Sequence, residues 1–323
     1  MDRCQDGRWL CRAGEYQDLV SDLCAADPRL RQRDEKAVRQ KTPWPVHHAR
    51  LVVLECSDGR TFGGPVEYTP QALRDCLESQ RERSSPEDPS RVYILEGLHP
   101  SFITVLGDRF KMHPSLFTEH ERVGVISHTA LRESDTGILP AMTRTREHYT
   151  MKYFELLRLP QEIRGRFEIN CSMTGRHIGV TREKGQFSDV GTLHRKCSVW
   201  RRYHEHGQGW DYWNKSVTVL VSPGPFQGGY LDFMPHETRI RDRNGPPRTS
   251  MLNDLCFYIQ HHAALVDVAN PDDIALFAKK IIASHYLQHS QYLRSTIFAA
   301  QFYMSRQSRL SLDYFNGAFV EAQ

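Results

Sequence analysis

An α/β (α+β) fold, a mixed sheet flanked by helices and followed by a long C-terminal helical stalk-like extension, is what this 323-residue chain predicts. Three observations predict it. Residues 91–122, RVYILEGLHPSFITVLGDRFKMHPSLFTEHER, read as strand, turn, helix, break and short helix. Several short apolar segments between residues 153 and 221 are joined by Gly-bearing turns, the mark of antiparallel neighbours. After Pro271, neither Pro nor Gly interrupts the chain before Gly317.

The central stretch opens with Val92 to Leu95, a run with the length and β-branched content of a buried strand. Pro100 follows a turn, and Pro at the first helical position sacrifices nothing because its N–H had no intrahelical partner there. Phe102, Val105 or Leu106, and Phe110 then recur at helical spacing, so one face packs on the sheet. His113-Pro114 repeats the device and starts a short helix carrying Leu116 and Phe117.

Earlier in the chain, Tyr16, Leu19, Val20 and Leu23 share one face of a helix over residues 15–26, which ends before Pro28. Residues 29–42 form a charged run, read as a solvated linker. Leu51 to Glu55 reads as a strand, and Thr69-Pro70 as the cap and first position of a helix running to Leu77. Residues 81–90 are a polar loop and residues 123–150 a long excursion. Strands are expected at 153–159, 167–171, 176–180, 195–201 and 215–221. Residues 222–249, rich in Pro, Gly and Arg, read as a boundary. Beyond it, residues 251–268 are expected to be helical. Asn270-Pro271-Asp272-Asp273 then forms a helix start: a capping Asn, Pro at the first position, and two carboxylates at the positive end of the dipole. The face traced by Ile274, Ala278, Ile281, His285, His289, Tyr292, Thr296 and Ala300 predicts a helix of about 57 Å at 1.5 Å per residue. Three units are thus expected: 1–45 (helix and charged linker), 46–249 (α/β domain) and 250–323 (helical extension).

Composition narrows the function classes. The formal charge is +3, with 42 basic residues nearly matched by 39 acidic ones, so nucleic acid is not an expected partner. The first residues lack the apolar core of a signal peptide, and the eight Cys include no CxxC pair, which points to reduced, cytoplasmic thiols. No run of about 18 apolar residues is present to span a bilayer. Local motifs for a nucleophile elbow, a phosphate loop or a zinc protease are absent.

Candidate metal ligands follow from spacing. His285 and His289 stand four apart on a helix, as a metal pair requires, though their position on an apolar face also suits packing. Asp272 and Asp273, with Asp267 nearby, offer oxygens of the kind Mg²⁺ prefers, although a helix N-terminus already gives the first two a role. His194, Cys197, His204 and His206 lie within 13 residues, yet strand alternation and a following turn explain them without zinc.

Taken together, Leu98-His99-Pro100, Leu106-Gly107, Phe110, Met112-His113-Pro114 and Phe117 to His120 resemble the start of the cytosolic domain of CorA-like magnesium transporters, in particular the divergent fungal branch. YFELLRL (153–159), CSMTGRHI (171–178), RKCSVWRR (195–202) and Gly209-Trp210-Asp211 extend the resemblance over most of the chain. It implies an α/β cytosolic domain leading into a stalk helix, assembly into a homo-oligomer, and Mg²⁺ sensing by carboxylates between domains. The family's Gly-Met-Asn loop and both membrane spans are absent. The expectation is therefore the soluble, self-associating and ion-sensing domain of a CorA-like divalent-cation transport protein, not itself a pore, with a membrane-spanning relative as a further candidate partner. A longer form carrying the spans would be membrane-associated. The alternative is a soluble enzyme or small-molecule binder reusing the fold, with a pocket around Trp200, Trp210 and Trp213. A self-associating scaffold without ion dependence is a third reading.

Overall fold

A computed structural model describes residues 10–11, 14–27, 30, 49–56, 60–82, 89–121, 147–159, 178–183, 186–202, 217–222, 245–267 and 270–306. The elements are α1 (Glu15–Ala26), β1 (Arg50–Cys56), β2 (Val66–Tyr68), α2 (Pro70–Glu82), β3 (Ser90–Glu96), α3 (Pro100–Phe110), α4 (Ser115–Glu121), β4 (His148–Arg158), β5 (Ile178–Glu183), β6 (Gln186–Arg202), β7 (Val217–Ser222), α5 (Met251–His261), a 3-10 turn (Ala263–Leu265) and α6 (Pro271–Arg306). The strands form one seven-stranded mixed sheet in the order β2-β1-β3-β7-β6-β4, with β5 also paired to β6. β3 and β7 run parallel, and the remaining described pairs are antiparallel.

Because side chains alternate across a strand, the register sorts the sheet into two apolar faces. Val53, Tyr93, Val219 and Trp200 are successive cross-strand partners, and with Leu51, Leu95 and Val221 they meet α1 to α4. Val52, Ile94, Leu220 and Val199 form the adjacent row, and with Leu54, Cys197 and Tyr153 they meet α5 and α6. The sheet is thus the middle layer of three.

The unit expected at residues 91–122 is present. His99 caps α3 by accepting the Ser101 N–H at 3.1 Å, and Pro100 occupies the first turn. Phe110 closes the helix against Tyr93 and Trp200, with ring centroids 5.3 and 5.6 Å away. Lys111 then turns left-handed at φ 48°, and the Met112 N–H returns to Gly107 O at 3.1 Å.

Other expectations shift. β2 and the first part of β6 carry weak sequence signals because β2 is a short, exposed edge and this part of β6 lies in a long hairpin arm. The strand expected at 167–171 lies outside the described residues. The helix expected over 251–268 ends at His261 and tightens into the 3-10 turn. The divisions near residues 45 and 249 do not separate cores. Tyr16, Val20 and Cys24 of α1 join the cluster beneath α3, and α5 with the first half of α6 covers the other face of the same sheet.

α6 begins as its sequence dictates, with Asn270 Oδ1 accepting the Asp272 N–H at 3.1 Å. Its 36 residues extend about 54 Å. Ile274, Ala275, Phe277, Ala278, Ile281 and Ile282 are buried on the sheet, whereas Leu287, Ile297 and Phe298 further along are exposed.

Candidate functional site

α6 meets the sheet at β4, the edge strand, and the contacts show how it passes. His285 is buried over the Tyr153 ring on the α5/α6 face, at 5.1 Å between centroids. One residue on, the Tyr286 hydroxyl donates to the Lys152 carbonyl at 2.6 Å. His289 then stacks on Phe154 at 5.0 Å, and Phe154 also meets His194 at 5.4 Å. Tyr153 and Phe154 point to opposite faces, so the helix wraps across the strand's edge and shields it from pairing with another chain.

Beside His285 lies a buried ion pair. Arg195 Nε donates to Glu155 Oε2 at 2.6 Å, and both side chains are at most 3% exposed. Tyr153 opposes Arg195 and Glu155 opposes Leu193, which places Glu155 and Arg195 diagonally on one face. Burial, with the Arg195 charge as a second cause, lowers the His285 pKa from 6.5 to about 4. Burial also lowers that of His289, whose Nδ1 is shut from solvent without a hydrogen-bond partner among the described residues. Both imidazoles are therefore neutral near pH 7, held as stacked rings.

The four candidate metal ligands fall into two separate pairs. Asp273 and His285 are twelve residues apart on one helix, about 18 Å. Asp272 pairs with Arg201. Asp273 accepts from Asn270 Nδ2 at 2.9 Å and from the Asp267 N–H at 3.1 Å, so these carboxylates organise the start of α6. Among the described residues no three His, Cys, Asp or Glu side chains gather as a metal site. Cys197 faces the core, where burial raises its thiol pKa to about 12, while His194 points to the other face, as strand alternation requires. His204 and His206 lie outside the described residues.

A polar seam joins α4 to the sheet. Ser115 Oγ stands 2.7 Å from His113 Nδ1 and 3.2 Å from His148 Nε2, and Glu119 Oε2 is 3.6 Å from that same Nε2. A nucleophile relay needs the carboxylate on the opposite ring nitrogen. Here hydroxyl and carboxylate share one, and the seam reads as a fastening, continued by His120 to Ser198 Oγ at 3.0 Å and by Lys196 Nζ donating to Glu119 O at 2.5 Å. Of the three tryptophans around which the alternative reading places a pocket, only Trp200 is among the described residues. Trp200 is buried against Phe110 in the core, and Trp210 and Trp213 lie outside the described residues.

Sequence reasoning missed the Glu155 and Arg195 pair. Its signal was present as two charges on the inward parity of strands otherwise carrying Tyr153, Leu157, Cys197 and Val199.

What these features define is a class: a three-layer α/β/α domain whose second helical layer continues as one long helix. No family model, no curated protein and no solved structure matches the chain. Among the described residues no helix is long and apolar enough to cross a membrane.

Proposed function

We propose that the chain is the soluble, ion-responsive domain of a CorA-like divalent-cation transport protein, acting through association of copies of itself along α6. The observation that carries this reading is the division of labour within that helix. Its first three turns are spent on the domain's own sheet, and its later turns expose Leu287, Ile297 and Phe298, 56 to 62% open to solvent. Leu276, Leu287 and Phe298 recur every 11 residues, which returns to within about 20° of the same helix face, so the stripe runs nearly straight. Apolar side chains held on a projecting helix are costly in water and are the ordinary material of an interface.

Ion dependence has to come from elsewhere on the domain. Between Asp273 and Arg306 the helix carries no carboxylate, only Lys279, Lys280 and Arg294 as fixed charges. Mg²⁺ would bridge exposed carboxylates of neighbouring domains, and a cytoplasmic location belongs to the same reading. The test is native mass in chelator and in millimolar Mg²⁺. An ion-specific, reversible change is expected, and one mass under both conditions would remove the ion-sensing part.

A further inference from the structure

The outer face of α1 is the chemical complement of the exposed face of α6. Glu15, Asp18 and Asp22 are the only charged side chains of α1, which carries no Lys, Arg or His. Spacing of three and four residues puts them on one exposed face with Leu19, itself 40% open to solvent. Glu15 also lines a groove of about 910 Å³ between α1, α2 and α3, shared with Arg74. Glu15 and Asp18 suit the positive end of the helix dipole, whereas Asp22 lies beyond the first turns and gains nothing from it. The side chains of Asp18 and Asp22 make no ion pair or hydrogen bond among the described residues.

On α6, Lys280, Arg294 and Phe298 each lie within about 20° of Leu287 around the helix axis. Leu287 and Phe298 are 62% and 56% exposed. The Lys279 ammonium is already engaged over the Tyr149 ring at 5.7 Å, and the Arg294 guanidinium rests on Phe298 at 5.4 Å. Neither Lys280 nor Arg294 has a carboxylate partner among the described residues. Two copies meeting through this face alone would set cation against cation: Arg294 on Arg294 if parallel, Lys280 beside Arg294 if antiparallel about Leu287. α1 offers the opposite sign and fits the length, about 18 Å against about 27 Å from Lys280 to Phe298. Within one chain α1 packs beneath α3, across the sheet from the first half of α6, and no ion pair joins the two helices among the described residues.

We infer that α1 of one copy docks on the exposed face of α6 of the next, with Asp18 and Asp22 answering Lys280 and Arg294 around a contact of Leu19 with Leu287 and Phe298. This rests on the association along α6 proposed above and names the surface that meets it. Because two different patches pair and every copy carries both, the contact is heterologous, closing a ring or propagating from copy to copy. The test is light scattering of the full chain at constant Mg²⁺, with circular dichroism to confirm that each variant is folded. Association of the wild type should weaken as salt rises from about 20 to about 300 mM, since exposed charges are screened over that range. Asp18→Lys with Asp22→Lys should weaken association about tenfold or more, and Lys280→Glu with Arg294→Glu should do the same. An equal mixture of the two variants should assemble again, as should a chain carrying all four reversals, because opposite charges then face each other once more. Assembly that Leu287→Glu abolishes but the α1 reversal leaves intact would overturn the docking of α1 while sparing association along α6. Failure of the mixture to assemble would overturn it as well, and a wild type monomeric even at low salt would overturn both.

Discussion

Tyr16 lies directly on the backbone of Gly107: a Cβ at Gly107 would stand 2.3 Å from the Tyr16 ring, and the Tyr16 hydroxyl donates to Met112 O at 2.7 Å. A glycine inside a helix usually weakens it by up to about 1 kcal/mol. Here its bareness lets α1 seat on α3, and the hydrogen bond satisfies a buried carbonyl beside the left-handed Lys111. Gly107→Ala should therefore destabilise the fold by about 1–3 kcal/mol despite its better helix propensity. Tyr16→Phe should cost about 1 kcal/mol through the lost bond. Urea unfolding checks both, and a neutral or stabilising Gly107→Ala would show that the two helices do not meet this way.

The Glu155 and Arg195 pair predicts an asymmetry. Removing one partner strands a buried charge, so Arg195→Met should cost about 3–5 kcal/mol. Replacing both with apolar residues of similar size, Glu155→Leu with Arg195→Met, should recover most of that loss. Equal costs for the single and double variants would mean that the pair is not desolvated together.

Two buried groups titrate in overlapping windows with opposite signs. His285, lowered to about 4 by burial and Arg195, takes up a proton only on unfolding between about 6.5 and 4, so its contribution to stability is lost as pH falls through that window. Asp254, raised from 3.8 to about 6 by burial against the Arg248 N–H bond at 2.7 Å, holds a proton in the folded state across nearly the same window. Its contribution grows as pH falls from about 6 towards 3.8. The two partly cancel in the wild type. His285→Phe should leave Asp254 unopposed, so that acidification from pH 6.5 to 4 costs less than in the wild type. Asp254→Asn should make the same acidification cost more. Melting temperature against pH reads both slopes, and parallel profiles for wild type and variants would refute the coupling.

Periodicity made the helices legible. Residues 15–26 emerge as α1 with the expected bounds, and Asn270 with Pro271 marks the start of α6. Strands were legible where β-branched residues cluster, as at Val217 to Val221, and not where a strand depends on its neighbours, as in β2 and the front of β6. The inward face of α6 was readable as far as Tyr292, because burial follows the 3.6-residue repeat. What spacing could not convey is which elements meet. His285 and His289 look like a ligand pair on a helix drawn alone. Only the turn around the β4 edge shows that one packs on Tyr153 and the other on Phe154. The groove between α1, α2 and α3 joins residues 14 to 111 from three segments and leaves no local mark in the sequence.

The most direct measurement is the native mass of the full chain by light scattering, beside a Leu287→Glu, Phe298→Glu variant whose substitutions sit on exposed positions and leave the core untouched. The account predicts an oligomer for the wild type that Mg²⁺ shifts and chelator reverses, and a folded monomer for the variant under both conditions. A wild-type chain that stays monomeric at micromolar concentration with Mg²⁺ present, or a variant that assembles as the wild type does, would contradict it.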